Sequence, residues 1–215
     1  MLRPGSWLRR LHSISGVVPV GAFLAFHLYV NSSAARGADA YNATVRRLQQ
    51  LPLSVFAEIA CIFLPLAFHG VSGLFLTASV PISAERSTRA QRWLAILQRV
   101  TGVLLFGFIL FHLWTARLVQ IEDHESLDLF HLMQSALASP WIHALYVGGI
   151  LSATSHLASG LWSFSETWGL AKTPRARAVV AVVAAGAFVL LSAMGVQALA
   201  GFQLPTRYNP ALLTP

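Results

Sequence analysis

The chain has 215 residues, of which 55% are hydrophobic and only 11% charged, with a formal net charge of +7. A water-soluble domain carries about a quarter charged residues, so this composition excludes one and indicates a protein dissolved in a bilayer. The positive charge sits mainly in the connecting segments, which reads as membrane topology and not as a nucleic-acid surface. The single cysteine, Cys61, excludes an internal disulfide and any cysteine-built zinc or iron–sulfur centre, and its apolar neighbours predict a buried packing residue.

The N-terminus, MLRPGSWLRRLHS, is basic like an export signal. The apolar segment after it contains His27 and lacks a clear small-residue cleavage site, so a retained first helix is expected. Five apolar segments follow, at residues 13–31, 53–79, 93–119, 141–165 and 177–202, each near the ~20 residues a helical span needs. The expected fold is an all-α integral membrane protein, one domain over residues 1–215, with five transmembrane helices in one bundle. Pro19 and Pro65 interrupt the first two spans, which neighbouring helices tolerate by satisfying the freed carbonyls. The first connection has helically spaced Ala40, Val45 and Leu48 and predicts a short surface helix; the third, QIEDHESLDLFHLMQSALASP, is acidic and predicts another.

Lys and Arg counts give the orientation. Arg3, Arg9, Arg10, Arg86, Arg89, Arg92, Lys172, Arg175 and Arg177 fall on one side; Arg36, Arg46, Arg47, Arg117 and Arg207 fall on the other, beside Glu122, Asp123, Glu125 and Asp128. The larger group belongs in the cytoplasm, which puts the N-terminus inside and the C-terminus outside.

Each of the first four spans carries a histidine late in its run: His27, His69, His112 and His156. Spans one and three run outward and spans two and four inward, so His27 and His112 share the outer level and His69 and His156 the inner. An imidazole within hydrocarbon is expensive unless something binds it. Two imidazoles from facing helices are what a six-coordinate b-type haem requires. A lone membrane histidine is ordinarily a packing or hydrogen-bonding residue, but four that pair by depth favour ligation. A proton relay or zinc site needs more ligands at one depth, and Glu58 is the only carboxylate clearly inside a span. The fifth span has no histidine and reads as a structural wall.

Other groups take lesser parts. His12 and Ser13, beside Arg9 and Arg10, and Arg99 at the same inner level, are candidates to meet haem propionates, with interfacial anchoring as the alternative. Glu58 precedes His69 by eleven residues, roughly 16 Å along a helix, and so approaches the outer level, where a carboxyl group can exchange protons with a quinone, a solvated interfacial carboxylate being the alternative. His124 and His131 are expected to be solvated, and His143 to be interfacial.

The stretches RRLHSISGVVPVGAFLAFHLYVNSSAARGADAYN, LPLSVFAEIACIFLPLAFHGVSGLF, LQRVTGVLLFGFILFHLW and SHLASGLWSFSETWGLAKTPRAR resemble the cytochrome b subunits of succinate dehydrogenases and fumarate reductases, in their five-helix, two-haem form. The resemblance implies bis-histidine ligation of two haem b groups, a distal one by His27 and His112 and a proximal one by His69 and His156. It implies electron transfer from the iron–sulfur partner through the proximal and then the distal haem to quinone, menaquinone being favoured. It further implies a bacterial cytoplasmic membrane and a complex with a flavoprotein and an iron–sulfur subunit on the cytoplasmic face. The chain has no dinucleotide fingerprint or cysteine cluster, so succinate chemistry belongs to those partners. The rival readings are a di-haem cytochrome of a hydrogenase or formate dehydrogenase and a haem-free transporter.

Overall fold

The computed structural model describes residues 6–79, 88–115 and 128–204, and among these every regular element is a helix. Arg3, Arg86, Arg117, Glu122, Asp123, His124, Glu125 and Arg207, on which parts of the charge count rest, lie outside the described residues, as does the end of the predicted third span. Helix α1 (Ser6–Ser15) passes through a π-helical turn, Gly16–Val20, into α2 (Gly21–Ser32). A 3₁₀ turn, Ser33–Arg36, leads to α3 (Ala38–Gln49). Helix α4 (Ser54–Glu58) passes through a second π turn, Ile59–Phe63, into α5 (Leu64–Ser79). Then come α6 (Arg89–Leu113), α7 (Leu129–Leu137), α8 (Pro140–Thr167) and α9 (Pro174–Phe202).

Both prolines are absorbed by the wider turns. A proline in a helix cannot donate to residue i−4 and its ring crowds that carbonyl. Pro19 lies inside the first π turn and Pro65 two residues past the second, so the helix widens where the crowded carbonyls of Ser15 and Cys61 stand. Helix ends are set by caps rather than by hydropathy, so helices overrun the apolar runs. Thr88 and Gln91 form a reciprocal capping box that starts α6 at Arg89, and the Thr173 side chain accepts from Ala176 N at the start of α9.

Four helical stretches are long and apolar enough to cross a membrane: Trp7–Arg36, Ser54–Ser79, Arg89–Leu113 and Pro174–Phe202. Helix α8 meets that test together with α7, to which it is joined at a bend of 107°. Helix α8 packs between α6 and α9, α9 packs on α2, α1 on α5, and α5 on α6. Large apolar side chains such as Leu53, Val71, Leu104, Trp141 and Val182 point outward, as they do where lipid replaces water. Cys61 is also exposed, which corrects the expectation of a buried packing residue: the side of that turn carrying Cys61 faces away from the bundle.

The tight core lies at one end, where α3 and α7 cover α9. Tyr41, Phe130, Leu137, Tyr146, Leu199 and Phe202 form it, with Tyr41 and Phe130 ring-packed on Phe202 at 4.9 and 5.3 Å. A polar latch joins the two covering helices: Asn42 Nδ2 donates to Asp128 Oδ1 (2.8 Å) and Phe130 N donates to Asn42 Oδ1 (3.2 Å). Asp128 also caps α7 and meets the His131 ring at 2.5 Å, so His131 is half exposed but paired, and not simply solvated as the sequence suggested. Burial alone would raise the Asp128 carboxyl, but hydrogen bonds from Asn42 and His131 outweigh it and hold the group below its ordinary 3.8. Burial, with Tyr146 nearby, pushes the Tyr41 hydroxyl up to about 12, so it stays a neutral donor.

Two outcomes follow from this packing. A Cβ on Gly201 would lie 2.6 Å from the Ala34 carbonyl carbon and 2.9 Å from Ala35 Cα, which are backbone atoms that cannot yield. Gly201→Val should therefore cost about 1–3 kcal/mol, read as a lower thermal midpoint in detergent; Gly186→Val, with nothing within 4 Å of its Cβ, is the control. Equal midpoints for the two would refute the close approach. For Asp128 the folded value is depressed, so its stabilisation is present above about pH 4 and is lost as pH falls through the folded value. With the carboxylate side chain 41% exposed, its effect stays below ~1 kcal/mol. The stability difference between wild type and Asp128→Asn should thus be measurable at pH 7 and shrink as the pH falls below about 4; a constant difference would contradict the charge's role.

Candidate cofactor site

Two pairs of imidazoles meet inside the bundle. The rings of His27 on α2 and His112 on α6 have centroids 5.8 Å apart at an interplanar angle of 76°. Those of His69 on α5 and His156 on α8 are 6.1 Å apart at 79°. A single metal between two imidazoles would separate their centres by roughly 6 Å, twice the sum of a ~2 Å metal–nitrogen bond and the ~1 Å from nitrogen to ring centre. Both pairs stand at that spacing.

The partners of the ring nitrogens decide which nitrogen is bare. His69 Nδ1 lies 3.0 Å from the His12 carbonyl oxygen, and His156 Nδ1 lies 3.1 Å from that of Gln98. A carbonyl only accepts, so each Nδ1 carries the hydrogen and each Nε2 keeps its lone pair. The Gln98 amide nitrogen stands 3.3 Å from His156 Nε2, as a donor toward that lone pair. On His27 the marker is Asn31, whose Nδ2 donates to the His27 carbonyl oxygen (2.8 Å) and stands 3.3 Å from Nε2. Tyr41 OH donates to Asn31 Oδ1 (3.3 Å), which fixes the amide's orientation. His112 Nδ1 lies 3.3 Å from the Tyr146 hydroxyl.

These features fit a haem iron. Each site offers two imidazoles, and backbone carbonyls orient two of the four, His69 and His156, so that Nε2 is the ligating atom. Among the described residues no three His, Cys, Asp or Glu side chains converge as a metal site, so a metal held by either pair takes its remaining ligands from something other than these side chains, as in a macrocycle. Side-chain-free positions face the inner pair: a Cβ on Gly16 would collide with the His69 ring, and one on Gly102 would come within 2.9 Å of His156 Cε1. Helix and ring therefore approach closely at both His69 and His156.

The other predicted residues are dispersed. His12 stacks on His69, with centroids 4.1 Å apart and planes 8° from parallel, and its Nδ1 meets Ser72 Oγ at 3.0 Å. Ser13 turns away from the histidines; its Oγ accepts from Trp168 Nε1 at 3.1 Å, and Arg10 lies over that indole. Arg99 Nη1 donates to the Thr77 carbonyl oxygen at 3.4 Å, tying α6 to α5. Glu58 is half-buried at the junction of α4 and the second π turn. His143, at the start of α8, is met by Gln203 Nε2 at 3.0 Å.

Sequence reasoning missed the groups that orient the rings: Asn31, Gln98, Thr101, Thr115 and Tyr146. Two of them carry a local signal, because Asn31 follows His27 by one helical turn and Thr115 follows His112 by three residues. Gln98, Thr101 and Tyr146 act across helices, and no spacing along the chain announces them.

Comparison with known proteins shows the family. The sequence model of the succinate dehydrogenase/fumarate reductase transmembrane subunit family matches residues 81–194. The chain is 40% identical over 196 residues to the succinate dehydrogenase cytochrome b558 subunit of Bacillus subtilis (strain 168), covering 91% of this chain and 96% of that protein. With these matches and its apolar helices, the chain belongs to the transmembrane subunits of the succinate dehydrogenases and fumarate reductases.

Proposed function

We propose that the chain is the di-haem cytochrome b membrane anchor of a succinate:quinone oxidoreductase, with five transmembrane helices enclosing two b-type haems. The observation that carries this is the pair of imidazole pairs, 5.8 and 6.1 Å between centroids, with His69 and His156 oriented for Nε2 ligation. Family membership argues against the hydrogenase, formate dehydrogenase and transporter readings.

In this reading His27 and His112 hold the outer haem and His69 and His156 the inner one. When bound, haem supplies reversible one-electron chemistry at each level. The chain's own residues do the rest. The backbone oxygens of His12 and Gln98 hold the inner imidazoles in the ligating tautomer and raise their basicity. Asn31 Nδ2, held in turn by Tyr41, stands at His27 Nε2 and would yield that lone pair to the iron while staying bonded to the His27 carbonyl oxygen. Apolar helices exclude water from both levels. His12 and Arg99 lie toward the inner end and serve the haem periphery there, whereas Ser13 is engaged by Trp168.

The partners are a flavoprotein and an iron–sulfur subunit on the cytoplasmic face, because one cysteine and no nucleotide fingerprint leave this chain no means to oxidise succinate. The setting is a bacterial cytoplasmic membrane with the N-terminus inside, supported by the basic bias of the N-terminus and the even-numbered connections. Quinone, with menaquinone favoured, reacts toward the outer level, and Glu58 exchanges its proton.

Two experiments test these assignments. Replacing any one of His27, His69, His112 or His156 with Leu should lower haem from two to one per polypeptide, and replacing both members of a pair should lower it no further. A single replacement that removes neither haem would contradict the pairing. Glu58→Gln should slow quinone turnover at least tenfold, within the range of one general acid–base group, with both haems retained; unchanged turnover would remove Glu58 from the mechanism.

A further inference from the structure

Three of the four central imidazoles are oriented by carbonyls or amides, whereas His112 faces a hydroxyl, which can donate or accept. If Tyr146 donated to Nδ1, the hydrogen of a neutral ring would move to Nε2 and spoil it as a ligand. The surroundings of Tyr146 settle the direction. Tyr146 is 4% exposed, on α8, with its ring packed against Phe108 and Phe111. Its oxygen lies 3.3 Å from His112 Nδ1, 3.2 Å from Thr115 Oγ1 and 4.0 Å from the Met133 sulfur. Thr115 Oγ1 in turn reaches the carbonyl oxygens of Phe111 and His112, both at 3.1 Å. Those oxygens only accept, so they take the single Thr115 hydrogen. Thr115 Oγ1 therefore presents a lone pair to Tyr146, and with the Tyr146 hydrogen given to it at 3.2 Å rather than to the Met133 sulfur at 4.0 Å, the Tyr146 lone pair faces His112.

We propose that Thr115 and Tyr146 form a positioning dyad that makes His112 an Nε2 ligand, the Tyr146 hydroxyl accepting the His112 Nδ1–H because Thr115 accepts from Tyr146. The proposal rests on the haem reading above and adds to it the polarity of one hydrogen-bond chain, from His112 through Tyr146 and Thr115 to the α6 backbone. A hydroxyl that donates is a better acceptor, so each link strengthens the next. The dyad thus increases the electron density of the imidazole, which favours the oxidised iron and lowers the potential of that haem. Tyr146 touches neither iron nor quinone in this role; it acts through His112.

The test is a redox titration of the haem absorption bands on the intact complex, with low-spin haem signals followed by electron paramagnetic resonance. The relevant component is the one that disappears in His112→Leu. In Tyr146→Phe, which keeps the ring and its packing, that component should move to higher potential with a changed low-spin signal, while the other stays in place. Thr115→Val, which frees the Tyr146 hydrogen to turn toward Nδ1, should disturb the same component, and Thr115→Ser should restore it. Two retained haems with both potentials unmoved in Tyr146→Phe would overturn the dyad and leave Tyr146 as packing alone. Should Tyr146→Phe lose a haem, Thr115→Val decides: a disturbance confined to the His112 component supports the dyad, and its absence overturns it. A wild-type complex without two low-spin haems would instead overturn the underlying haem reading, and the dyad with it.

Discussion

A polar nitrogen placed in hydrocarbon must find a partner, because no water is there to supply one and each unsatisfied group costs several kcal/mol. This chain puts four imidazoles under that constraint, and much of the surrounding structure answers it. Each ring has at least one nitrogen engaged by the protein through a carbonyl, an amide or a hydroxyl. The result in each pair is two rings about one metal's width apart, drawn from helices far apart in sequence. Glycines at 16 and 102 let the neighbouring backbone come close enough for this to happen.

The packing divides the molecule in two. At the end covered by α3 and α7, aromatic rings and the Asn42–Asp128 latch make a dense core of ordinary protein type. Between the long helices burial is sparse and large apolar residues face outward, as expected where lipid competes equally for apolar surface and association depends on close packing and hydrogen bonds. Tyr146 joins the two regions: its ring belongs to the dense core and its hydroxyl to His112. The imidazole of His112 is consequently held by the densely packed part of the structure.

Much of this was legible in the sequence, and the limits have physical causes. Apolar runs and prolines announced the helices, and the position of each histidine late in its run anticipated which rings meet, since alternating direction converts sequence position into depth. The two short covering helices were visible through Ala40, Val45 and Leu48 and through the apolar face of LFHLMQSAL. What was not legible depends on rotation about the helix axes and on contacts between helices. Cys61 was expected inside because its neighbours are apolar, but in a membrane apolar neighbours do not say which face is buried. Ser13 was grouped with His12 by adjacency, yet successive helical residues point about 100° apart, and Ser13 reaches Trp168 while His12 reaches His69. Tyr146 and Gln98 could not be recognised at all, because their partners lie on other helices.

The central claim is that the two imidazole pairs are two haem sites. The most direct test is a reduced-minus-oxidised absorption spectrum of the purified complex, with haem extracted and counted per polypeptide. The account predicts two b-type haems for each copy of the chain, both low-spin. One haem would contradict it by leaving an imidazole pair without the metal its spacing fits, and none would return all four histidines to hydrogen bonding and packing.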